Sequence, residues 1–201
     1  MSRFGILGGT FDPIHNGHLY IAENAKLFCN LDKVIFMPSA KSPHKLDKKV
    51  TDSIHRYKMC KMATEQEASF IVSDYEINKQ EVSYTYNTLI EFQNKYKDVE
   101  LYFILGADML KDFPNWYKAD ELIKKFNIIA IARPGYNLNE IVGNSFYEEY
   151  SDKITLIDLI PVSLAASDIR RQFYRGLSIK YLVADSVYDY ISDKNLYIED
   201  L

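Results

Sequence analysis

The sequence predicts an α/β protein with a single doubly wound, Rossmann-like parallel sheet and helices on both faces. Short apolar segments alternate with amphipathic ones along the 201 residues, which is the pattern of a parallel sheet covered by helices. Apolar residues make up 47% and charged residues 26% of the chain, the balance of an ordinary globular protein. We therefore expect one domain over residues 1–201, with a C-terminal helical part at about 160–201.

The predicted strands are short apolar runs with β-branched or aromatic residues. They are Phe4–Leu7, Val34–Met37, Phe70–Ser73, Leu101–Leu105, Ile128–Ala132 and Ile154–Ile157. Helices are predicted at about 17–28, 52–66, 84–96, 118–125, 138–150, 167–175 and 180–191. Because a doubly wound sheet binds ligands at the carboxyl ends of its strands, the residues that follow these strands are the candidates for a functional site.

Polar residues at the expected helix starts support several of these helices. The candidate N-caps are Asn16, Thr51 or Asp52, Ser83 or Thr85, and Ser167 with Asp168. Gly176 follows the end of the helix predicted at 167–175, where a glycine commonly terminates a helix.

Net charge, cysteine content and the lengths of the apolar runs argue against several classes of protein. The formal charge of −4 argues against a nucleic-acid-binding face, although a cleft can be locally positive. Cys29 and Cys60 form neither a CxxC pair nor a metal-binding spacing, so we expect a reducing cytoplasm and no disulfide framework. The N-terminal apolar run is too short for a signal peptide. No stretch approaches the roughly 18 apolar residues that a membrane span needs.

The most informative stretch joins the first predicted strand to the first predicted helix. It reads Gly8-Gly9-Thr10-Phe11-Asp12-Pro13-Ile14-His15-Asn16-Gly17-His18. Paired glycines let the backbone approach a bulky ligand, and a helix start directs N–H groups and a positive dipole end at a bound anion. His15 and His18 add donors or positive charge at the same place. The stretch therefore predicts an anion site, best suited to a polyphosphate.

Two other interpretations of this stretch are weaker. The dinucleotide-binding fingerprint needs G-x-G-x-x-G, which the sequence lacks, so a dehydrogenase is disfavoured. A His-x-x-His pair could also hold zinc, but zinc needs a third ligand and Asp12 is the only nearby candidate. Taken alone, either histidine would more often be a cap or a surface residue. The eleven-residue string between a strand and a helix favours the anion site.

Gly8–His18 resembles the GGxFDPxHxGH signature of the nucleotidyltransferases that carry the HxGH motif. This superfamily includes pantetheine-phosphate adenylyltransferase, glycerol-phosphate cytidylyltransferase and the nicotinate or nicotinamide mononucleotide adenylyltransferases. The resemblance implies that both histidines contact the phosphates of ATP during adenylyl transfer. The ATP-binding residues that it implies here are Gly8, Gly9, Thr10, Phe11, His15 and His18.

A second candidate motif, Leu164–Arg170, opens a helix near the C-terminus. A hydroxyl and an arginine at a helix start could hold another phosphate, whereas an ordinary N-cap with a solvated arginine is the alternative. The stretch is similar to the superfamily motif ISSTxIR, which implies that Ser167 and Arg170 bind ATP and that Arg170 is catalytic. Ala165 and Ala166 stand where that motif has serines, so hydroxyl contacts from those two positions are absent.

Three internal stretches resemble the bacterial nicotinate mononucleotide adenylyltransferases, and the chain is longer than is usual for the pantetheine and cytidylyl members. The first lies in the long loop 38–50, where PSAKSPHK resembles P-x-x-x-P-P-H-K. The resemblance implies that Lys41, His44 and Lys45 neutralise the phosphate of the acceptor. A solvated basic loop is the alternative.

The second stretch, Ser83–Leu89, resembles the segment SYTxxTL of that family and puts Thr85 at a helix start. A nicotinate carboxylate there would receive N–H donors and a favourable dipole, whereas helix capping alone is the other interpretation. Arg133 follows a later strand and could hold phosphate.

The third stretch begins with Gly106-Ala107-Asp108 at the end of a strand and includes Trp116 and Tyr117. The resemblance assigns Gly106 and Asp108 to ATP, with Asp108 at the ribose, and assigns Trp116 and Tyr117 to the acceptor, with the indole on the pyridine ring. A lone tryptophan is also common in protein cores, so this assignment depends on the resemblance.

From Gly8 to Arg170, the resemblance implies an enzyme that joins ATP to nicotinate mononucleotide and gives deamido-NAD and pyrophosphate. Mg²⁺ is the implied cofactor, held by the phosphates of the nucleotide and not by protein ligands. Nicotinamide mononucleotide and phosphopantetheine are the alternative acceptors, and a non-catalytic nucleotide-sensing module is the alternative of another class. Neither a nucleic acid nor a membrane is expected as a partner, and the sequence leaves a homodimer open.

Overall fold

A computed structural model describes residues 1–40, 49–79, 82–132 and 135–198. Its strands are β1 Ser2–Gly9, β2 Lys33–Pro38, β3 Phe70–Val72, β4 Val99–Gly106, β5 Asn127–Ile131 and β6 Ile154–Ile157. They form one sheet in the order β3-β2-β1-β4-β5-β6. β4 pairs in parallel with β1 and β5, and β5 pairs in parallel with β6. This is the strand order of a doubly wound sheet, so the predicted α/β class is confirmed.

The helices that the described residues form are distributed along the whole chain. They are α1 Asn16–Phe28, α2 Ser53–Thr64, α3 Tyr75–Lys79, α4 Thr85–Lys95, α5 Ala107–Asp112, α6 Ala119–Lys125, α7 Leu138–Val142, α8 Ser145–Glu148, α9 Ala166–Tyr174 and α10 Asp185–Asp193. Among the described residues, 3₁₀ turns lie at Phe113–Asn115 and Ser151–Lys153. Within the described parts of the chain, no helix is long and apolar enough to cross a membrane.

Two predicted helices are wrong in extent. The helix predicted at 138–150 is split into α7 and α8, because Asn144 starts a new helix by accepting a hydrogen bond from the Phe146 amide at 3.0 Å. The helix predicted at 180–191 begins only at Asp185, because Tyr181 has a left-handed φ of 71° and Lys180 forms an isolated parallel bridge with Val183.

The predicted helix caps are mostly wrong, although the helices themselves are present. Asp52 does cap α2, since its carboxylate accepts from the Ile54 amide at 2.9 Å. The N-cap of α4 is Tyr84 and that of α9 is Ala165, and neither forms a side-chain capping bond. Asn16 is the first residue of α1 and not its cap. The short helices α3 and α5 were not predicted, because five or six residues show no helical periodicity.

The chain divides into two compact units that are each built from several segments. The first unit comprises residues 1–8, 22–35 and 84–163, and the second comprises residues 9–21, 36–83 and 164–201. The core of the first unit includes Ile6, Leu101, Ile104, Leu122, Ile128 and Ile129. The core of the second unit includes Phe11, Ile14, Phe36, Met59, Ile169, Val187 and Ile191. These two cores support the candidate site residues that each unit carries.

Candidate functional site

The loop that joins β1 to α1 is held in the second unit by the ring of Phe11. Phe11 is 2% exposed, and the centroid of its ring lies 4.9 Å from that of His18 and 5.9 Å from that of Phe36. The φ of Phe11 is 49°, a left-handed value that bulky residues rarely adopt, so its packing stabilises a strained backbone. A Cβ on Gly9 would lie 2.9 Å from a Phe11 ring atom. Gly9 therefore makes room for the protein's own aromatic ring.

His15 and His18 stack on each other at the start of α1. Their ring centroids are 3.6 Å apart with an interplanar angle of 24°. The backbone amide of His15 donates to Nδ1 of His18 at 3.2 Å, so a neutral His18 carries its proton on Nε2 and presents that atom as a donor. A Cβ on Gly17 would lie 3.1 Å from Nδ1 of His15. The glycine between the histidines therefore lets the buried His15 ring lie across the helix start.

The predicted alternative of a zinc site finds no support in the described part of the chain. Within residues 1–40, 49–79, 82–132 and 135–198, no three His, Cys, Asp or Glu side chains are grouped closely enough to hold a metal ion. Asp12, the only candidate third ligand near the histidines, forms other interactions. The residue is 3% exposed, and its carboxylate accepts from the hydroxyl of Tyr197 at 2.7 Å and from the amide of Thr51 at 3.2 Å.

Arg170 of α9 contacts the same loop. Its Nη1 donates to the backbone carbonyl of Asp12 at 2.6 Å and lies 3.7 Å from Oδ2 of the Asp12 carboxylate. The structure thus brings the arginine of the second motif to the loop of the first, as expected if both motifs bind one polyphosphate. Ser167 lies in the first turn of α9 and is exposed, so it does not cap this helix.

Arg56 of α2 is a residue of this region that the sequence motifs did not indicate. The residue is 1% exposed, and in its described hydrogen bonds the side chain donates only to backbone carbonyls. The acceptors are the carbonyls of Thr10 at 2.6 Å, Thr51 at 2.8 Å, Ser39 at 2.8 Å and Ala40 at 3.4 Å. One guanidinium therefore ties the glycine-rich loop to both ends of the long loop that follows β2.

The buried environment of Arg56 disfavours the charged form of its guanidinium. Burial lowers the pKa of its guanidinium, and the nearby negative charge of Asp12 acts in the opposite direction. The sequence carried one indication of this role, since Arg56 precedes the buried Met59 and Cys60 by three and four residues. An arginine on the apolar face of an amphipathic helix has to find hydrogen-bond acceptors inside the protein.

In the first unit, the candidate ATP residues lie where two neighbouring strands end. Leu7 of β1 is paired with Ile104 of β4, so Gly8 and Gly106 follow at the same edge of the sheet. Gly106 is the N-cap of α5, and Asp108 lies in the first turn of that helix. The carboxyl ends of adjacent parallel strands are the expected place for a ligand in this fold.

The candidate acceptor residues of the first unit lie at helix α4 and at the turn after α5. Thr85 is the first residue of α4, whose N-cap provides no side-chain oxygen to the helix start. The ring of Trp116 lies 5.2 Å from that of Phe113 and 6.0 Å from that of Phe103. Trp116 is thus partly packed against the core, whereas Tyr117 is 48% exposed.

Tyr117 belongs to a group of tyrosine rings in the first unit, in which Tyr84 is also exposed and Tyr86 is buried. Its ring lies 4.9 Å from that of Tyr84 and 6.3 Å from that of Tyr86. Glu121 accepts from the Tyr86 hydroxyl at 2.7 Å, and this hydrogen bond lowers the pKa of the carboxyl. The remaining candidates, Lys41, His44, Lys45 and Arg133, lie outside the described residues.

The chain is similar to known nucleotidyltransferases in sequence and in fold. A sequence model described as cytidylyltransferase-like matches residues 6–181, a range that contains both phosphate motifs. The fold, the HxGH loop and this match define a nucleotidyltransferase.

Relatives that align over their full length identify the family within the nucleotidyltransferases. A Clostridium botulinum protein (strain Eklund 17B) named "Probable nicotinate-nucleotide adenylyltransferase" is 45% identical over 202 residues, which cover 100% of both chains. A Clostridium perfringens protein of the same name is 41% identical over 199 residues and 98% of both chains. The chain therefore belongs to the cytidylyltransferase-like nucleotidyltransferases and, within them, to the family of these nicotinate-nucleotide adenylyltransferases.

A solved structure agrees on the fold. Plasmodium falciparum nicotinic acid mononucleotide adenylyltransferase complexed with NaAD is similar with a TM-score of 0.83, 22% sequence identity and coverage of 98% of each chain. At this identity the similarity concerns the fold alone.

We expect the substitution Arg56→Met to destabilise the protein strongly. It would leave the carbonyls of Thr10, Ser39 and Thr51 without this donor. Each buried group left unsatisfied costs about 1–3 kcal/mol, so the free energy of unfolding should fall by about 3 kcal/mol or more. Urea unfolding followed by circular dichroism measures the change.

The matched control for this prediction is Arg171→Met. Arg171 has a 69% exposed side chain and pairs with the exposed Asp168, so its loss should change the unfolding free energy little. Equal effects of the two substitutions would show that the contacts of Arg56 do not stabilise the fold.

Proposed function

We propose that this protein transfers the adenylyl group of ATP to nicotinate mononucleotide, forming deamido-NAD and pyrophosphate. The observation that carries the proposal is the 45% identity, over the full length of both chains, to a relative named for this activity. The HxGH loop with Arg170 beside it supports the phosphate chemistry, because stacked imidazoles and a guanidinium are donors for anionic oxygens. The free thiols of Cys29 and Cys60 support a reducing cytoplasm as the compartment.

The reaction requires one bond to form and one to break at the α-phosphorus of ATP. A phosphate oxygen of the acceptor attacks this phosphorus in line, and the bond to the bridging oxygen of the β-phosphate breaks. Pyrophosphate leaves with the electron pair. The second pKa of a phosphate monoester is about 6, so the acceptor is largely ionised at neutral pH and needs no general base.

The task of the protein in this mechanism is therefore electrostatic. Two anions must approach each other, and charge develops on the oxygens around phosphorus and on the leaving group. In our proposal His15, His18 and Arg170 donate to these oxygens, and the start of α1 adds its N–H groups and dipole. Donors that the fold already orients need little rearrangement in the transition state. The glycine-rich residues Gly8–Phe11 and Ser167 would line the path of the triphosphate.

The first unit would supply the contacts that distinguish the two substrates. We assign Gly106 and Asp108 to the adenosine, with the Asp108 carboxylate at the ribose hydroxyls. Thr85 at the start of α4 would receive the nicotinate carboxylate, and Trp116 with Tyr117 would contact the pyridine ring. We further propose that Lys41, His44, Lys45 and Arg133 neutralise the acceptor phosphate.

Mg²⁺ is the proposed cofactor. The donors beside the HxGH loop are imidazole nitrogens and a guanidinium, and the Asp12 carboxylate is engaged by Tyr197, Thr51 and Arg170. This set fits phosphate oxygens and does not fit a metal, so a magnesium ion would be held by the nucleotide. When bound, it would neutralise part of the triphosphate charge.

The function is tested by measuring pyrophosphate release with saturating ATP and a panel of acceptors. We expect nicotinate mononucleotide to be used most efficiently, ahead of nicotinamide mononucleotide and phosphopantetheine. A preference for either of the latter would change the assigned acceptor. ATP binding without pyrophosphate release from any acceptor would instead indicate a nucleotide sensor.

We expect His18→Ala to lower kcat by ~10²–10³-fold, the cost of losing one charge-stabilising donor. Two further substitutions separate catalysis from folding. Asparagine can keep an acceptor for the His15 amide but loses the Nε2 donor, whereas glutamine can keep a donor near Nε2. His18→Asn should therefore be as slow as His18→Ala, and His18→Gln should be faster than both. A folded His18→Ala protein with unchanged turnover would remove His18 from the mechanism.

We expect Thr85→Val to raise the KM for nicotinate mononucleotide more than the KM for ATP, because it removes a hydroxyl at the start of α4 where we place the carboxylate. Thr85→Ser keeps the hydroxyl and is the matched control. Steady-state kinetics with each substrate varied in turn measures the two values. Equal losses for both substrates would contradict the assignment of Thr85 to the acceptor.

A further inference from the structure

Tyr197 lies close to the C-terminus of the sequence and reaches the HxGH loop. Its hydroxyl donates to Oδ1 of Asp12 at 2.7 Å, across 185 positions of sequence. The side chain is buried, with 4% of the residue exposed. Burial and the charge of Asp12 raise the pKa of Tyr197 above its usual range, so the hydroxyl remains a donor at physiological pH. No motif in the sequence had indicated this residue.

The backbone around Tyr197 forms a turn that places its side chain beside Asp12. After α10 the chain turns through Asn195, with φ 50°, and Tyr197 itself has φ 63°. Left-handed values are uncommon for aromatic residues and persist only when surrounding contacts compensate the strain. The amide of Leu196 closes the turn by donating to the carbonyl of Ile191 at 3.0 Å. The C-terminal turn thus inserts one hydroxyl beside the Asp12 carboxylate.

The carboxylate of Asp12 lies next to the guanidinium of Arg170, the cation that we assign to the phosphates of ATP. Its Oδ2 is 3.7 Å from Nη1 of Arg170, longer than the 2.6 Å bond from that Nη1 to the Asp12 backbone carbonyl. Among the described residues, Nε of Arg170 is buried without a hydrogen-bond partner. A carboxylate and a guanidinium at this separation would gain energy by closing into a bidentate pair. Such a pair would occupy the donors that Arg170 offers to an anion.

We infer that Tyr197 is a positioning residue for the reaction, because its hydroxyl holds the Asp12 carboxylate away from a bidentate pair with Arg170. The inference rests on the proposed function for the role of Arg170 at the triphosphate. Tyr197 and the Thr51 amide each take one oxygen of Asp12. The guanidinium then remains bonded to the loop through the backbone carbonyl and keeps its remaining donors for phosphate.

The test compares Tyr197→Phe with Tyr190→Phe in the full-length protein. Both substitutions remove one hydroxyl from the C-terminal segment, but the Tyr190 hydroxyl contacts Nδ1 of His55 at 2.8 Å and not Asp12. We expect Tyr197→Phe to lower kcat/KM for ATP about tenfold or more, the typical effect of disturbing one hydrogen bond to a charged group. The KM for the acceptor should change little. Tyr190→Phe should leave both parameters near those of the wild type.

A double-mutant cycle with Asp12→Asn tests whether Tyr197 acts through the carboxylate. In the Asn background no charge competes for Arg170, so adding Tyr197→Phe should lower kcat/KM for ATP little further. Additive losses, or equal losses for Tyr197→Phe and Tyr190→Phe at matched thermal stability, would overturn the inference and indicate a structural role alone.

Direct binding of ATP, measured by calorimetry, separates this inference from the proposed function. If the wild type binds ATP but releases no pyrophosphate with any acceptor, the proposed function fails. Weaker ATP binding by Tyr197→Phe than by Tyr190→Phe would still support the positioning role, and equal binding would overturn it. A wild type that neither binds ATP nor reacts would overturn both.

Discussion

The loops of the second unit depend on hydrogen bonds from the buried guanidinium of Arg56. Thr10, Ser39, Ala40 and Thr51 belong to loops, and loops cannot satisfy their carbonyls through strand pairing or a helix ladder. Arg56 supplies the missing donors from one rigid fork at distances of 2.6–3.4 Å. A lysine could not reach so many acceptors with one compact ammonium group. The position of the glycine-rich loop is therefore set by a side chain that need not contact any substrate.

A second set of contacts, made by residues distant in the sequence, also holds the glycine-rich loop in place. Asp12 receives a hydroxyl from Tyr197 and an amide from Thr51, and its backbone carbonyl receives Arg170. Buried charges are tolerated only when they are paired or hydrogen-bonded, and each charge here meets that condition. The loop is thus held by residues from α2, α9 and the C-terminal turn, whereas its own sequence supplies the histidines and Phe11.

The sequence was sufficient to predict features that depend on local pattern. The six strands followed from short apolar runs, and the HxGH stretch is one continuous string. Arg56 and Tyr197 could not be predicted in the same way, because their contacts join residues 46 and 185 positions apart. The helix predicted at 138–150 failed for a local reason, since its apolar spacing continues through Asn144 while the cap at this residue starts a new helix. Tyr84 as an N-cap shows that propensity is a weak guide when packing fixes a helix start.

The chain as a whole is acidic, whereas the residues around the HxGH loop present hydrogen-bond donors. A net charge of −4 disfavours an extended polyanion, whose binding requires a broad basic surface. A single small polyanion needs only a few donors in one place. In the second unit, His15, His18 and Arg170 gather around one loop, and the only carboxylate of that loop is directed at Tyr197, Thr51 and Arg170. Under the proposed function, the local arrangement of these donors, and not the overall composition, would allow the protein to bind a small polyanion.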